Sequence, residues 1–540
     1  MSCSKIFSGD LPELIYEIIK YLWNDYSTLH SCILVNRLWC RLSIPLLWED
    51  PFSIPTENYN FITIYLHYLN DDDFKIYKTK LNEFKINNYL LTSNILLFNY
   101  PKFIKYLNIS KIVSFVKKWV ISEFKMLLNE NLLDFKKLII KSLFKLFIKN
   151  EISLNILNIE IIPYTYYVCF SDILELILKN PNFIHNIKIL KLQVDEIPYA
   201  NYSFHDNNRN NLIKNSLSQI INTHKNLKKI SFGSNSLPLY QSLLLSKDSN
   251  CSNTLNTIIF YYVNLGYIYN LYEIFEQLNV LESVHIVYCS LNVHFIQQII
   301  NLSKPFKLKS LFMGEAFQIE VDLLQLLLQK SGDYLENFEI GFGYNLLGSK
   351  LLELIMKYCK NIKFLNLNGI NDQIVYSVIN LIEKQNLNYL SIDIDKFLSG
   401  RSIVEGYVKR SSIILQNLGQ ILPSKLEYLN LTLHIKANDF EIFLKNSQNT
   451  FINKFLIDNK EGDDILIILH YIKKYIMKKK RTKYLAITNT FVGSSAFDIF
   501  GYKDLFYLND EVKKFRLYNI KVRKYYDLNV SISDFIKEID

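Results

Sequence analysis

Residues 335–340, LENFEI, are followed by 362–367, IKFLNL, and by 387–392, LNYLSI. Each places apolar side chains at its first, fourth and sixth residues, and successive starts lie 27 and 25 residues apart. One such triplet means little in a chain whose residues are 49% hydrophobic. The spacing carries the information. Upstream, Leu227-Ile230-Phe232, Leu255-Ile258-Phe260, Leu281-Val284-Ile286 and Leu308-Leu311-Met313 lead into the same series with steps of 28, 26, 27 and 27 residues. Leu154-Leu157-Ile159 and Ile187-Leu190-Leu192 precede it. Leu426-Leu429-Leu431, Ile452-Phe455-Ile457, a weak Thr482-Leu485-Ile487 and Val512-Phe515-Leu517 follow it. Alternation at the fourth and sixth positions is the signature of a half-buried strand. Apolar patterns of helical period, such as 323–329 and 351–358, fall between the triplets. The expectation is an α/β fold built from one strand and one helix per repeat. Stacked repeats bury the faces that their neighbours leave open and form a curved parallel sheet.

This pattern resembles the leucine-rich repeat family in its 26–27-residue helical form. Asn235 and Cys289, each eight residues after the first apolar position of its repeat, stand at that family's Asn/Cys turn site. Most other repeats lack Asn or Cys there, so irregular turns are expected. Two steps are long, 40 residues from 187 to 227 and 39 from 387 to 426, and carry the polar stretches 201–210 and 399–403. A loop over the binding surface, a degenerate repeat and an inert insertion all fit these lengths.

Residues 11–48 read LPELIYEIIKYLWNDYSTLHSCILVNRLWCRLSIPLLW. Leu11, Leu14, Ile15, Ile18, Ile19 and Leu22 form one apolar face at helical spacing, and Pro12 suits a first turn. Asn24, Asp25 and Ser27 offer caps for a second helix with Leu29, Cys32 and Ile33 inward. Val35, Leu38, Trp39 and Leu42 make a third apolar set running up to Pro45. So small a unit buries too little surface to be stable alone and wants a second body. The order of residues resembles an F-box, with Asn36 departing from the small residue many members carry there. The resemblance implies docking on a Skp1-type adaptor, and through it on a cullin, by Leu11, Pro12, Leu14, Ile15, Ile18, Leu22, Leu29, Val35, Trp39 and Leu42. The plain alternative is a helical cap on the following domain.

The remaining organisation follows: an F-box at 1–50, a helical connector at 51–150, the repeats at 151–530 and a tail at 531–540. In the connector, Trp119 reads as core, and Asp71, Asp72 and Asp73 as a solvated acidic loop. With 61 basic and 52 acidic residues the net charge of +9 falls short of a nucleic-acid binder's footprint. Seven cysteines without a CxxC pair argue against a disulfide framework or structural zinc. The opening residues lack an apolar signal-peptide region, and the longest apolar run, 258–263, stops at Asn264, far short of the roughly 20 residues that span a bilayer. No membrane or nucleic-acid partner is expected, and the location is cytoplasmic or nuclear. The basic run from Lys473 to Lys483 reads as a solvated helix face and loop, with a localisation signal as the alternative. No phosphate loop, HExxH or GxSxG motif occurs, so no catalytic residue, metal or cofactor is assigned.

An F-box followed by leucine-rich repeats implies a non-enzymatic subunit that recognises substrate for a ubiquitin ligase. A repeat scaffold without a ligase is the alternative, and a hydrolase or transferase with a hidden site a third reading. On the concave side the residues between and after the inward positions form rows. Tyr261, Val287 and Phe312 are expected to anchor the target protein, with Glu339 and Asp393 selecting a basic or hydroxyl-bearing segment beside them. The competing expectation is that residues 527–540 of the chain itself cover that surface.

Overall fold

The structure, a computed structural model, describes residues 11–23, 25–54, 59–69, 75, 79, 97–124, 130–161, 167–194, 215–224, 226–233, 251–314, 320–342, 348–394, 404–460, 462–491, 501–532 and 535. The acidic triplet at 71–73, the insertions 201–210 and 399–403, and Asn235 lie outside these residues. The chain forms two compact units, residues 1–264 with 273–282, and residues 265–272 with 283–540. Both are α/β with strands that are mostly parallel.

The first unit opens with α1 (Pro12–Lys20), α2 (Tyr26–Ile33) and α3 (Arg37–Leu47). Local chemistry sets each start. Pro12 stands in the first turn of α1. The Asp25 side chain accepts from the N–H of Thr28 at 3.1 Å, and that of Asn36 from the N–H of Trp39 at 2.9 Å. Asn36, the departure from the family pattern, is thus an N-cap. Helix α3 continues through Pro45 to Leu47, beyond the expected stop; near the helix end the proline removes only its own bond, to the carbonyl of exposed Arg41. Ile15, Ile19, Leu29 and Leu46 form the buried centre of the three helices.

Rings join these helices to the connector, where Trp48 lies 5.4 Å from Tyr65 and 4.3 Å from Tyr100. The connector contains α4 (Phe61–Leu66), α5 (Ile109–Phe124) and α6 (Glu130–Lys149), with Trp119 fully buried, as expected. It also contains a strand that the repeat spacing did not mark, β1 (Tyr106–Asn108), parallel to β2 (Ile156–Ile161). Strands β3 (Ile189–Val194), β4 (Lys229–Phe232) and β5 (Thr257–Tyr261) follow in parallel, with α7 (Tyr167–Lys179) between β2 and β3. Backbone bonds step regularly along this edge. The Glu49 carbonyl accepts from Lys105 and Tyr106, that of Lys105 from Asn155 and Ile156, and that of Asn155 from Lys188 and Ile189, at 2.8 to 3.2 Å. The N-terminal helices therefore lead directly into the first rung of the sheet.

The second unit runs β6 (Ser283–Val287), β7 (Leu308–Met313), β8 (Asn337–Gly341), β9 (Phe364–Asn368), β10 (Tyr389–Asp393), β11 (Lys425–Leu433), β12 (Phe451–Lys460) and β13 (Thr482–Phe491), each parallel to the next. Between them lie α8 (Val293–Ile300), α9 (Val321–Ser331), α10 (Gly348–Tyr358), α11 (Val375–Glu383), α12 (Val404–Ile421), α13 (Ala437–Asn446) and α14 (Ile465–Ile472). Right-handed crossovers between sequential parallel strands put all connecting helices on one face, and each of these helices packs on the next. Apart from half-buried Leu281, the first, fourth and sixth residues of the triplets that form strands are buried; Ile362, Leu365 and Leu367 are wholly so. The opposite face carries no connecting helix.

Every triplet read as a strand is one, except the last. Val512-Phe515-Leu517 lies at α15 (Asn509–Arg516), with Phe515 buried and Leu517 exposed. First-to-fourth spacing also fits one face of a helix, and Asp510 and Glu511 in the first turn with Lys513, Lys514 and Arg516 in the last favour that choice. The unit closes with β14 (Gly501–Asp504), antiparallel to β13, then β15 (Lys521–Val522), parallel to β13, and the single turn α16 (Tyr525–Leu528). Among the described residues no helix is long and apolar enough to cross a membrane. No group of three or more His, Cys, Asp or Glu among them is placed to hold a metal ion.

Candidate interaction surfaces

The sequence assigned α1 one apolar face, and the packed helix divides it in two. Ile15 and Ile19 enter the three-helix core, and Leu22 is half-buried beside them. Leu14 and Ile18 turn outward and each keep 43% of their surface exposed. Tyr21, Trp23, Leu34 and Val35 are also exposed, Val35 at 53%. Of the residues expected to touch an adaptor, Leu14, Ile18 and Val35 are therefore open, and Leu11, Pro12, Leu22, Trp39 and Leu42 half-buried. Ile15 and Leu29 have no surface to offer. Their part is to hold the helices that present the others. Two apolar stripes on one short helix mean that folding satisfies only half of its hydrophobic surface.

The second surface is the face of the second unit opposite its connecting helices. Here the expected anchors are not exposed. Val287 and Phe312 are fully buried, Glu339 is buried, and Asp393 is half-buried. Tyr261, on β5 of the first unit, is half-buried with its ring 4.6 Å from that of Tyr262. The third residue of each triplet proves more informative than the fifth and seventh. Phe364, Tyr389 and Tyr428 occupy that position on β9, β10 and β11, and stack in sequence at ring distances of 5.8 Å. Phe312 extends the row, 5.7 Å from Phe364. The sequence carried this signal as an aromatic two residues after Ile362, Leu387 and Leu426.

The chain's own C-terminal segment lies on this row. The Phe535 ring sits 4.5 Å from Phe364 and 5.7 Å from Phe312. Tyr525 packs with Tyr428, Leu456 and Ala486, flanked by Leu528 and Val530. Its hydroxyl donates to Asn430 Oδ1 at 2.9 Å and lies 3.4 Å from Thr432 Oγ1. The Tyr428 hydroxyl donates to Asn529 Oδ1 at 3.2 Å and accepts from the N–H of Val530 at 3.4 Å. Burial pushes both phenols up, Tyr428 to about 12, so both keep their protons at neutral pH. Of the two expectations for this surface, coverage by the chain itself is the one observed over β7 and β9–β13.

Two polar clusters complete the face. The Tyr288 hydroxyl donates to the Glu339 carboxylate at 2.9 and 3.0 Å, and Asn368 Nδ2 donates to the same group at 3.3 Å. Tyr288 reaches it from left-handed backbone, φ 53°, a conformation that is rare for a bulky residue. His285 Nδ1 lies 2.7 Å from Ser310 Oγ, which accepts from Asn337 Nδ2 at 3.0 Å. A serine within reach of a histidine matches the geometry of an activated nucleophile, but both side chains are buried, and the contact ties β6, β7 and β8 together.

Elsewhere, the basic run is partly built into the fold. Lys474 pairs with Glu441 at 3.0 Å and Lys473 with Glu511. Arg481 is buried, and its guanidinium donates to the carbonyls of Ser447 and Thr450 just after α13. Desolvation lowers it to about 10, still charged at neutral pH. In the first unit a shallow polar groove of about 680 Å³ is lined at the strand starts by Asn155, Lys188, Lys228, Asn256 and Glu282. Comparison of the chain with models of known protein families and with characterised proteins finds no match to either.

Proposed function

We propose that this chain is the substrate-recognition subunit of a cullin–RING ubiquitin ligase, with residues 1–50 as an F-box on a Skp1-type adaptor and leucine-rich repeats holding the target. The observation that carries the reading is the divided face of α1. Ile15 and Ile19 complete a core while Leu14, Ile18 and Val35 stay uncovered, which suits a helical module that both leads into a sheet and docks on a second protein. Strand–helix units over most of the remaining chain supply a broad face of the kind a protein target needs. In this reading the chain contributes position and not a reacting group. It holds the target within reach of an enzyme bound at the far end of the scaffold, and the rate gain comes from raised effective concentration.

The test is recovery of a purified Skp1-type adaptor on the intact chain and on the same chain with Leu14 and Ile18 both changed to Glu. The expected result is loss of adaptor from a variant that melts at the parent temperature. Equal recovery on both would leave the alternative, a repeat scaffold that works without a ligase.

A further inference from the structure

We infer that the face of the second unit opposite its connecting helices is a receptor for a protein segment bearing two aromatic side chains about ten residues apart, and that the chain's own segment from Tyr525 to Phe535 is a resident competitor for it. The inference deepens the function proposed above, since it concerns how the repeat face takes a target. It depends on no adaptor.

The manner in which the segment is held carries the argument. Its last backbone bond to the sheet runs from the N–H of Arg523 to the Leu485 carbonyl. Among the described residues beyond that point, nothing pairs as a strand; the regular structure is the turn Tyr525–Leu528 and a helical turn at Ile532 and Phe535, where the Phe535 N–H meets the Ser531 carbonyl at 2.9 Å. From there the segment meets the face mainly through side chains, with the N–H groups of Tyr525 and Val530 bonding to the Asp504 carboxylate and the Tyr428 hydroxyl. Tyr525 anchors one end beside Tyr428, Phe535 anchors the other between Phe364 and Phe312, and Leu528 and Val530 lie between them. Only Tyr525 is fully covered; Leu528, Val530 and Phe535 are half-buried, and Tyr526, Asp527 and Asn529 are exposed. That is the anatomy of a docked peptide, with aromatic anchors in place and the intervening residues near solvent.

The receiving side suits such an occupant. Phe312, Phe364, Tyr389 and Tyr428 stand one per strand and present a row of ring edges and faces to any aromatic laid across them. Asn430 adds an acceptor for a phenol hydroxyl at one end, with the Thr432 hydroxyl 3.4 Å away, so that end distinguishes Tyr from Phe. Because the competitor is covalently attached, its effective concentration is high. An outside segment of equal intrinsic affinity binds the intact chain more weakly by that factor.

The probe is a fluorescent peptide of residues 523–540, titrated by anisotropy into the intact chain and into the chain ending at Lys524. The truncated chain is expected to bind the peptide at least tenfold more tightly than the intact chain. Tyr525→Ala or Phe535→Ala in the peptide should each weaken that binding tenfold or more. A truncated chain that melts like the parent yet ignores the peptide overturns the proposal, as does equal binding to both chains. Should the truncated chain fail to fold, hydrogen exchange on the intact chain decides. Amides of 525–535 exchanging at least a hundredfold faster than those of β11 to β13 support a displaceable occupant, and equal protection shows a fixed part of the core. None of these readouts involves the adaptor, so failure here and failure of the ligase reading are told apart.

Discussion

Changing Leu14, Ile18 and Val35 together to Ala is expected to separate docking from folding. Fully burying one such side chain is worth about 1.5–3 kcal/mol. Leu14 and Ile18 are 43% exposed and Val35 53%, so complete coverage of the three on docking would gain about 2–4 kcal/mol. Losing that gain weakens adaptor binding by roughly 30- to 1,000-fold as an upper bound. The cost to folding is smaller, because none of the three is among the side chains packed on the buried centre of these helices, and surface changes cost about 0.5 kcal/mol or less each. Ile15→Ala behaves in the opposite way. Its side chain is wholly buried, and truncating such a residue costs about 2–5 kcal/mol of stability. Calorimetric titration with a Skp1-type adaptor, paired with thermal melts, reads both effects. A triple variant that melts with the parent and binds the adaptor as tightly refutes the assignment of this face.

Two further predictions concern stability. Burial and His185 lower His224 to about 4, and neither ring nitrogen has a partner among the described residues. The folded state therefore disfavours the charged ring: its contribution is full above about pH 6.5, and roughly 2 kcal/mol is lost between pH 7 and 5. The protection of the β4 amides relative to their intrinsic exchange rates should fall over that range in the parent but not in His224→Leu; parallel behaviour of the two proteins rules this out. Arg481→Lys should lower the unfolding free energy almost as far as Arg481→Leu, by about 2 kcal/mol or more, since an ammonium cannot span the carbonyls of Ser447 and Thr450 together. Full recovery with Lys would show that only charge matters there.

Coverage of the face opposite the connecting helices changes what a target must do. Residues chosen as exposed anchors, Val287 and Phe312, lie under other groups. For Phe312 the covering group is Phe535, and Glu339 is already engaged by Tyr288 and Asn368. On the inward side of β12 and β13, the side of Phe455 and Ile457, buried asparagines serve as scaffold. Asn459 is fully buried, takes the N–H of Ile435 at 2.9 Å, and donates to the Asp463 carbonyl and to Asn489 Oδ1 at 2.7 and 3.1 Å. These asparagines, seven residues after Ile452 and Thr482, tie the ends of β12 and β13 to the turn that follows β12.

The strand positions were legible in the sequence because their cause is local. An inward side chain at the first, fourth and sixth residues is a geometric demand of one strand on one helix layer, and it repeats wherever that layer repeats. Ile104-Leu107-Ile109 obeys it and is buried. It went unread because α5 and α6 separate it from the next triplet and no even spacing flags it. The caps at Asp25 and Asn36 were likewise within reach of their own few residues. Other decisions were not local. Which half of the α1 apolar face is used depends on where α2 and α3 lie. Whether 1-4-6 spacing at Val512 makes a strand or a helix depends on the charges beside it and on the absence of a free sheet edge. Most of all, Tyr428 meets Asn529 across 101 residues of chain. A side-chain contact over that separation leaves no periodicity at either end. The sequence by itself determined the repeating strand and its inward residues; only the tertiary structure decided that the opposite face is occupied, because that depends on where a distant segment returns.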